Sequence, residues 1–234
     1  MLVRYLLATV VAGLFAGILV TPAMYLKTVP LIVKAETYED ASGGHHHGPG
    51  AAPHDHSDAA EEGGAELPFG RLGNTILANL VAGAGFALAL GGVALLLGRR
   101  ITARNGIYWG LAGFFVFAFA PSLGLAPELP AMPAADLSER QLWWVATVLL
   151  SAIGLYLTVL RHEIWAKVLG LVLIVLPHLY GAPHPEDIAS PVPALIASQY
   201  AVASLATNLF MWAVLGLALG WLLQRYAGTE MEGI

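Results

Sequence analysis

The chain contains no cysteine. Disulfides and thiolate chemistry are therefore closed to it, and any metal ligand must be an imidazole, carboxylate, thioether or carbonyl. Charge is scarce as well: Asp, Glu, Lys and Arg make up 12% of 234 residues, about half the roughly 25% of an ordinary soluble domain. With 57% hydrophobic residues and a mean hydropathy of +0.69, too few polar side chains exist to cover a water-facing globule, so a bilayer must cover it. Eleven scattered Lys and Arg against 16 Asp and Glu exclude a basic nucleic-acid groove. No G-x-x-x-x-G-K-[ST] loop occurs, which excludes ATP hydrolysis of the Walker type, and no carboxylate pair falls inside an apolar run to make a proton relay. His162-Glu163 starts the string H-E-I-W-A, which lacks the second His of the zinc-peptidase H-E-x-x-H. That pair reads as a helix start.

What is present is a series of apolar runs. A hydrocarbon core about 30 Å thick takes roughly 20 helical residues, and six runs meet or approach that length: Tyr5 to Leu26, Leu72 to Leu97, Ile107 to Leu125, Leu142 to Leu160, Ile164 to Tyr180 and Leu195 to Leu223. The fold expected is an all-α integral membrane protein, a bundle of six transmembrane helices, or five. Its segments are a first helix (1–26), a hydrophilic loop (27–71), the remaining helices (72–224) and a tail (225–234). The first run exceeds the roughly 7–15 residues of a signal-peptide core and lacks an A-x-A cleavage site, so it reads as an uncleaved helix. The fifth run is short and ends in Pro177, His178 and Gly181; a full crossing and a broken or re-entrant helix both fit it.

Lys and Arg accumulate on the cytoplasmic side of inner-membrane proteins. Six crossings with the N-terminus inside place Arg4, Arg99, Arg100, Arg104, Arg161, Lys167 and Arg225 within, and Lys27, Lys34, Arg71 and Arg140 outside. Both termini are therefore expected in the cytoplasm of a bacterial inner membrane, and the 27–71 loop in the periplasm. Much of that loop reads ETYEDASGGHHHGPGAAPHDHSDAAEEGGAE, with little to bury, and is expected to be disordered. Five of the eight histidines, His45, His46, His47, His54 and His56, fall within twelve of its residues, beside Asp55 and Asp58. Neutral imidazole ligates divalent Zn, Ni, Co and Cu. A tag fragment or a solvated spacer is the plainer reading, but a tag is normally terminal and uninterrupted, whereas this cluster is internal and interleaved with Gly, Pro and Asp. A flexible cluster can gather ions without choosing among them, because it imposes no geometry.

Within the runs the notable polar residues are Asn74 and Asn79 in the second, and Ser198, Gln199, Ser204, Thr207 and Asn208 in the sixth. Interhelical hydrogen bonding is the ordinary reason for an isolated Asn there; lining an ion route is the functional one, and Asn79 and Asn208 are the candidates. NLVAGAGFALALG from Asn79 and NLFMWAVLGLALG from Asn208 agree at seven of thirteen positions, a weak sign of a duplicated helix. Gly13/Gly17, Gly106/Gly110 and Gly216/Gly220 have the G-x-x-x-G spacing that lets helices pack closely.

Two connections carry candidate ligands. PSLGLAPELPAMPAADLSERQLWW (Pro121 to Trp144) places Glu128 and Asp136 at the outer ends of two runs, and LPHLYGAPHPEDIASPVP (Leu176 to Pro193) sets His178 and His184 six apart ahead of Glu186 and Asp187. On the six-crossing reading both emerge beside the His-rich loop, where imidazoles and carboxylates would form a divalent-metal entry site. The alternative is that His178 and His184 are helix-end features. Trp143, Trp144 and Tyr180 read as an interfacial aromatic belt.

In these same blocks the chain resembles the CbtA-type predicted cobalt transporter subunits: LGLAPELPAM with RQLWW (Leu123 to Trp144), LPHLYGAPHP (Leu176 to Pro185), and QYAVASLATN with WAVLG (Gln199 to Gly216). The family is described with about five helices, one fewer than counted here. The resemblance implies cobalt uptake linked to cobalamin synthesis and a small, single-helix, His-rich partner of the CbtB type. The residues themselves do not separate Co from Ni or Zn. The expected function is a permease-like subunit for a divalent metal ion, carried as substrate with no prosthetic group, in contact with membrane lipid and not nucleic acid. A membrane metal sensor or periplasmic buffer is the alternative, and an intramembrane enzyme the more remote one. Deleting Ser42 to Glu62 should weaken metal accumulation at low external metal and leave it nearly intact at high metal. Accumulation lost at every concentration would contradict a capture role. Binding by the segment should fade as pH falls through about 6.5, where imidazole protonates.

Overall fold

The computed structural model describes residues 2–42 and 68–226. The histidines at 45, 46, 47, 54 and 56 lie outside the described residues. Those described form seven helices, with no strand among them: α1 (Leu2–Lys27), α2 (Val29–Ser42), α3 (Gly70–Leu96), α4 (Gly106–Ser122), α5 (Leu137–Leu160), α6 (Ile164–Tyr180) and α7 (Ala194–Tyr226). All six apolar runs are helical. Of these, α1, α3, α5 and α7, with 26, 27, 24 and 33 residues, are long and apolar enough to cross a membrane, whereas α4 and α6 are shorter. The 17 residues of α6 give about 25 Å of helix. It is one continuous helix lying antiparallel on α5, and the break considered at Pro177 does not occur.

The expectation of disorder throughout the hydrophilic part of 27–71 needs correction. Glu36 to Ser42 belong to α2, which follows α1 after a turn at Thr28. Leu31, Ile32, Ala35 and Tyr38 recur at helical spacing, and this stripe packs on Leu129, Val192 and Ile196, with Ala35 fully buried. Arg71 at the start of α3 donates from Nη2 to both carboxylate oxygens of Glu36, at 2.9 and 3.0 Å. The third run also ends earlier than expected, at Ser122. Its α-helical stretch gives way to a π-helical turn at Phe115–Phe119. Pro121 offers no N–H to the Phe117 carbonyl, so regular α bonding cannot continue there.

Antiparallel packing sets the order of the bundle. α1 lies between α3 and α7, α4 lies on the other side of α7, and the α5–α6 hairpin joins the rest mainly through the π-helical end of α4. Lipid tails are as apolar as leucine, so burying leucine gives helices little reason to associate; close backbone approach and interhelical hydrogen bonds must do so. Gly13 of α1 faces the Gly83 backbone of α3, Gly106 and Gly110 of α4 face Gly216 and the Trp212 carbonyl of α7, and Gly154 of α5 faces Gly170 of α6. A Cβ at any of these would run into backbone, so the G-x-x-x-G pairs do serve packing. Tyr5 adds a buried hydrogen bond to the Gly91 carbonyl at 2.9 Å. Trp212, 1% exposed, sits over Gly113 and against Phe86 and Phe117, its ring nearly parallel to Phe117 at 5.6 Å.

The antiparallel order divides the molecule into two faces. Leu2, the 97–105 connection, the 161–163 connection and Tyr226 share one, called here the terminal face. α2, the 123–136 connection and the 181–193 connection share the other, the loop face. Gly106→Leu or Gly216→Leu should force α4 from α7 and lower stability by about 1–3 kcal/mol or more, read as a loss of monodisperse protein and a lower Tm in detergent. Gly85→Ala, with open space at its Cβ, should leave both unchanged.

Candidate metal site

The loop face is assembled from segments that look polar in sequence. Leu129 and Met132 of the 123–136 connection, Val192 of the 181–193 connection and Ile196 of α7 meet the apolar stripe of α2. Ala131 turns this connection at φ 63°, a left-handed conformation that costs a non-glycine residue about 1–2 kcal/mol. α5 begins and α6 ends on this same face.

Trp143 of α5 donates from Nε1 to the Pro177 carbonyl of α6 at 3.3 Å, and its ring lies over the backbone of Gly124 and beside Ala182. At 6% exposure it is buried, which corrects its assignment to the aromatic belt; Tyr180, 88% exposed, remains at the surface. The reason is the Gly124 backbone, which has no side chain to hold the indole off. Next to Trp143, edge-on with ring centres 5.8 Å apart, is His178. Both ring nitrogens of His178 are buried and neither has a hydrogen-bond partner. Leaving such a group unmet costs about 1–3 kcal/mol.

The same deficit continues down α5. Thr147 and Ser151 follow Trp143 at successive turns of one helix face, both are fully buried, and neither hydroxyl has a partner. By contrast Thr9, Thr21 and Thr207 on other helices, and Thr158 further along α5, return their hydroxyls to a carbonyl four residues back. Pro177 also denies a donor to the Leu173 carbonyl. Among the described residues every buried side-chain nitrogen or oxygen without a partner lies on α5 or α6: Arg140 Nε, Thr147 Oγ1, Ser151 Oγ and the two His178 nitrogens. Below them the seam closes where Gly154 meets Gly170. A Lewis acid or ordered water is what such a set of donors and acceptors lacks.

The other candidates are placed differently. Glu128 forms an ion pair with Arg140 at 2.8 Å. Asp136 caps α5, accepting from the Ser138 N–H at 2.9 Å, the Glu139 N–H at 3.1 Å and the Ser138 hydroxyl. Those bonds, the Ser138 hydroxyl foremost, hold its carboxyl below the usual range. His184, Glu186 and Asp187 are exposed on the 181–193 connection, and Asp187 accepts from the Ala189 N–H at 2.8 Å. Among the described residues no three His, Asp or Glu stand together as a ready metal cage. Asn79 ties α3 to α1 through Thr21 Oγ1 at 3.0 Å, while Asn208 turns back to the Ser204 carbonyl of its own helix at 3.1 Å. Glu163 begins α6 and pairs with Arg161 at 2.8 Å, as a helix start would.

The polar residues singled out in the sequence were those of the second and sixth apolar runs, and Thr147 and Ser151 in the fourth were missed. Their i, i+4 spacing after Trp143 was the available signal.

Comparison with known proteins gives one family: the family model described as "Probable cobalt transporter subunit (CbtA)" matches residues 2–224, nearly the whole chain. No curated protein and no solved structure matches.

The Asp136 geometry separates a cap from a ligand. Asn caps helices about as well as Asp whereas Ala does not, so Asp136→Asn should preserve Tm and metal accumulation, and Asp136→Ala should lower Tm. Loss of accumulation in the Asn variant at normal Tm would mean that the carboxylate charge itself is needed.

Proposed function

The chain belongs to the CbtA family of cobalt transporter subunits, and from that membership we propose that it carries a divalent transition metal ion, cobalt, inward through the α5–α6 region of a bacterial inner membrane. The observation that carries the reading is His178, a half-buried imidazole on the loop face whose two ring nitrogens are both buried and unsatisfied. In the proposed route the histidines at 45, 46, 47, 54 and 56 collect ions, His184 receives them at the surface, and His178 takes them into the seam. Glu128 is held by Arg140 and Asp136 by the start of α5, so the first ligands narrow to the two histidines. Water, the Thr147 and Ser151 hydroxyls and the Leu173 carbonyl supply oxygen. Asn79 and Asn208, engaged in packing bonds, support assembly more than coordination.

Sidedness follows the cation count. Arg4, Arg99, Arg100, Arg104, Arg161 and Arg225 belong to the terminal face, with Lys167 one turn into α6, and Lys27, Lys34, Arg71 and Arg140 to the loop face. The positive-inside tendency puts the terminal face in the cytoplasm and the loop face in the periplasm. A crossing by α4 and α6 is part of this reading, as is a partner: the family name says subunit, and a small single-helix chain of the CbtB type would fit a membrane complex. Supply of cobalt for cobalamin synthesis is the role the resemblance implies. A sensor or buffer would bind metal without accumulating it in the cell, which elemental analysis of cells distinguishes.

His178 gives the decisive test, because function and stability pull apart there. Replacing it with Leu removes two unmet buried nitrogens, so Tm in detergent should hold or rise. Cobalt accumulation should disappear even at saturating metal, unlike the effect of deleting the His-rich segment. A His178→Leu protein that accumulates cobalt normally would make His178 a packing residue and overturn the route.

A further inference from the structure

On the terminal face, far from His178, the ends of α3 and α5 border a cleft of about 290 Å3 lined by Leu96, Leu97, Arg99, Tyr156, Leu160 and Arg161. Its origin is the attachment of the hairpin. α5 and α6 meet the bundle mainly at the π-helical end of α4, on the loop face, so at the opposite end α3 and α5 have a gap between them.

The local structure fixes cations at its mouth. α3 ends in a reverse turn at Gly98, φ 59°, where the Gly98 N–H reaches the Leu95 carbonyl at 3.0 Å and the Arg99 N–H reaches the Ala94 carbonyl at 2.9 Å. This pair of bonds satisfies carbonyls at the negative end of the helix and sends the chain out at Arg99. α5 stops at Leu160, and Arg161 is extended, with φ −95° and ψ 146°. Among the described residues Arg99 pairs with no carboxylate. Arg161 shares Glu163 at 2.8 Å, both side chains 43% exposed, and no acidic residue lines the cleft. The wall therefore has two guanidinium groups with three leucines beside them at the helix ends, and the Tyr156 phenol one turn further into α5.

That pairing of cations with leucines selects the ligand. Guanidinium groups bind phosphate oxygens with directed N–H bonds, which a soluble anion would also use, but leucines beside the cations add nothing for a small hydrated ion. They suit an acyl chain. We propose that the cleft binds an anionic membrane phospholipid, its phosphate between Arg99 and Arg161 with Tyr156 donating, and one acyl chain along Leu96, Leu97 and Leu160. Basic pockets between transmembrane helices at the cytoplasmic surface hold acidic headgroups in this way. Such a lipid fills the gap between the bundle and the hairpin. The site is independent of the metal route.

Native mass spectrometry of the full chain in mild detergent, after incubation with phosphatidylglycerol or phosphatidylcholine, tests it. The protein should retain phosphatidylglycerol, lose it as salt rises, and show a higher Tm with it than with phosphatidylcholine. R99Q with R161Q should weaken retention by roughly thirty-fold, at about a factor of five per cation, while R104Q, on the same face outside the cleft, should not. R99Q alone breaks no ion pair, so its weaker retention at unchanged Tm keeps the test valid if the double variant folds poorly. Equal retention of phosphatidylcholine, or unchanged retention in R99Q and in the double variant, would overturn the proposal. So would stabilisation by inorganic phosphate equal to that by phosphatidylglycerol, since that would make the cleft a soluble-anion site.

Discussion

Close backbone contact at glycine is the constraint on which the rest of this bundle depends. Surrounded by lipid, an exposed leucine has no water to escape, and residues such as Leu6, Leu149 and Leu171 stay on the surface. Cohesion must come from packing and from hydrogen bonds that only short interhelical distances allow. The Gly13–Gly83, Gly106–Gly216 and Gly154–Gly170 contacts provide those distances. Tyr5 can then reach Gly91, and Asn79 can reach Thr21.

The constraint is unevenly applied, and the unevenness separates scaffold from site. α1, α3, α4 and α7 are tied by two of the three glycine contacts and by the Phe86–Phe117–Trp212 cluster. The α5–α6 hairpin has one glycine contact internally and leans on the bundle at its loop-face end, where Trp144 lies 6.3 Å from Phe117. Every unmet buried polar side chain among the described residues is in that hairpin. Unsatisfied polar atoms are destabilising wherever they occur. Their concentration in the least anchored pair of helices puts the stability deficit where a small movement of one helix against its neighbour disturbs little else.

The apolar runs and the paired glycines were legible in the sequence because each is a local pattern: a count of residues, or a spacing of four. α2 was harder. Its polar residues outweigh Leu31, Ile32, Ala35 and Tyr38 in composition, and the stripe acquires a meaning only when Leu129, Val192 and Ile196 arrive from distant parts of the chain. Trp143 reads as an interfacial aromatic until Gly124 offers its bare backbone as a seat. Gly154 and Gly170 are single glycines on different helices, invisible to a G-x-x-x-G search. His178 was legible as a candidate, but its lack of any partner was not, since hydrogen-bond satisfaction is a property of the packed seam.

The sparseness of ligands around His178 has a physical sense in the proposed route. A transported ion must be bound well enough to enter and weakly enough to leave. A cage of several imidazoles and carboxylates would hold a late first-row ion too firmly, and the affinity order would favour copper over cobalt. One imidazole with neutral oxygens exchanges only part of the ion's hydration shell and leaves most of its ligands as water. Discrimination then rests on what the packed seam admits, with Trp143 above and the Gly154–Gly170 contact below. Because that contact closes the seam between α5 and α6, release inward along the proposed route requires one of these helices to move against the other, and the few contacts between the hairpin and the rest of the bundle allow such a movement without separating α1, α3, α4 and α7.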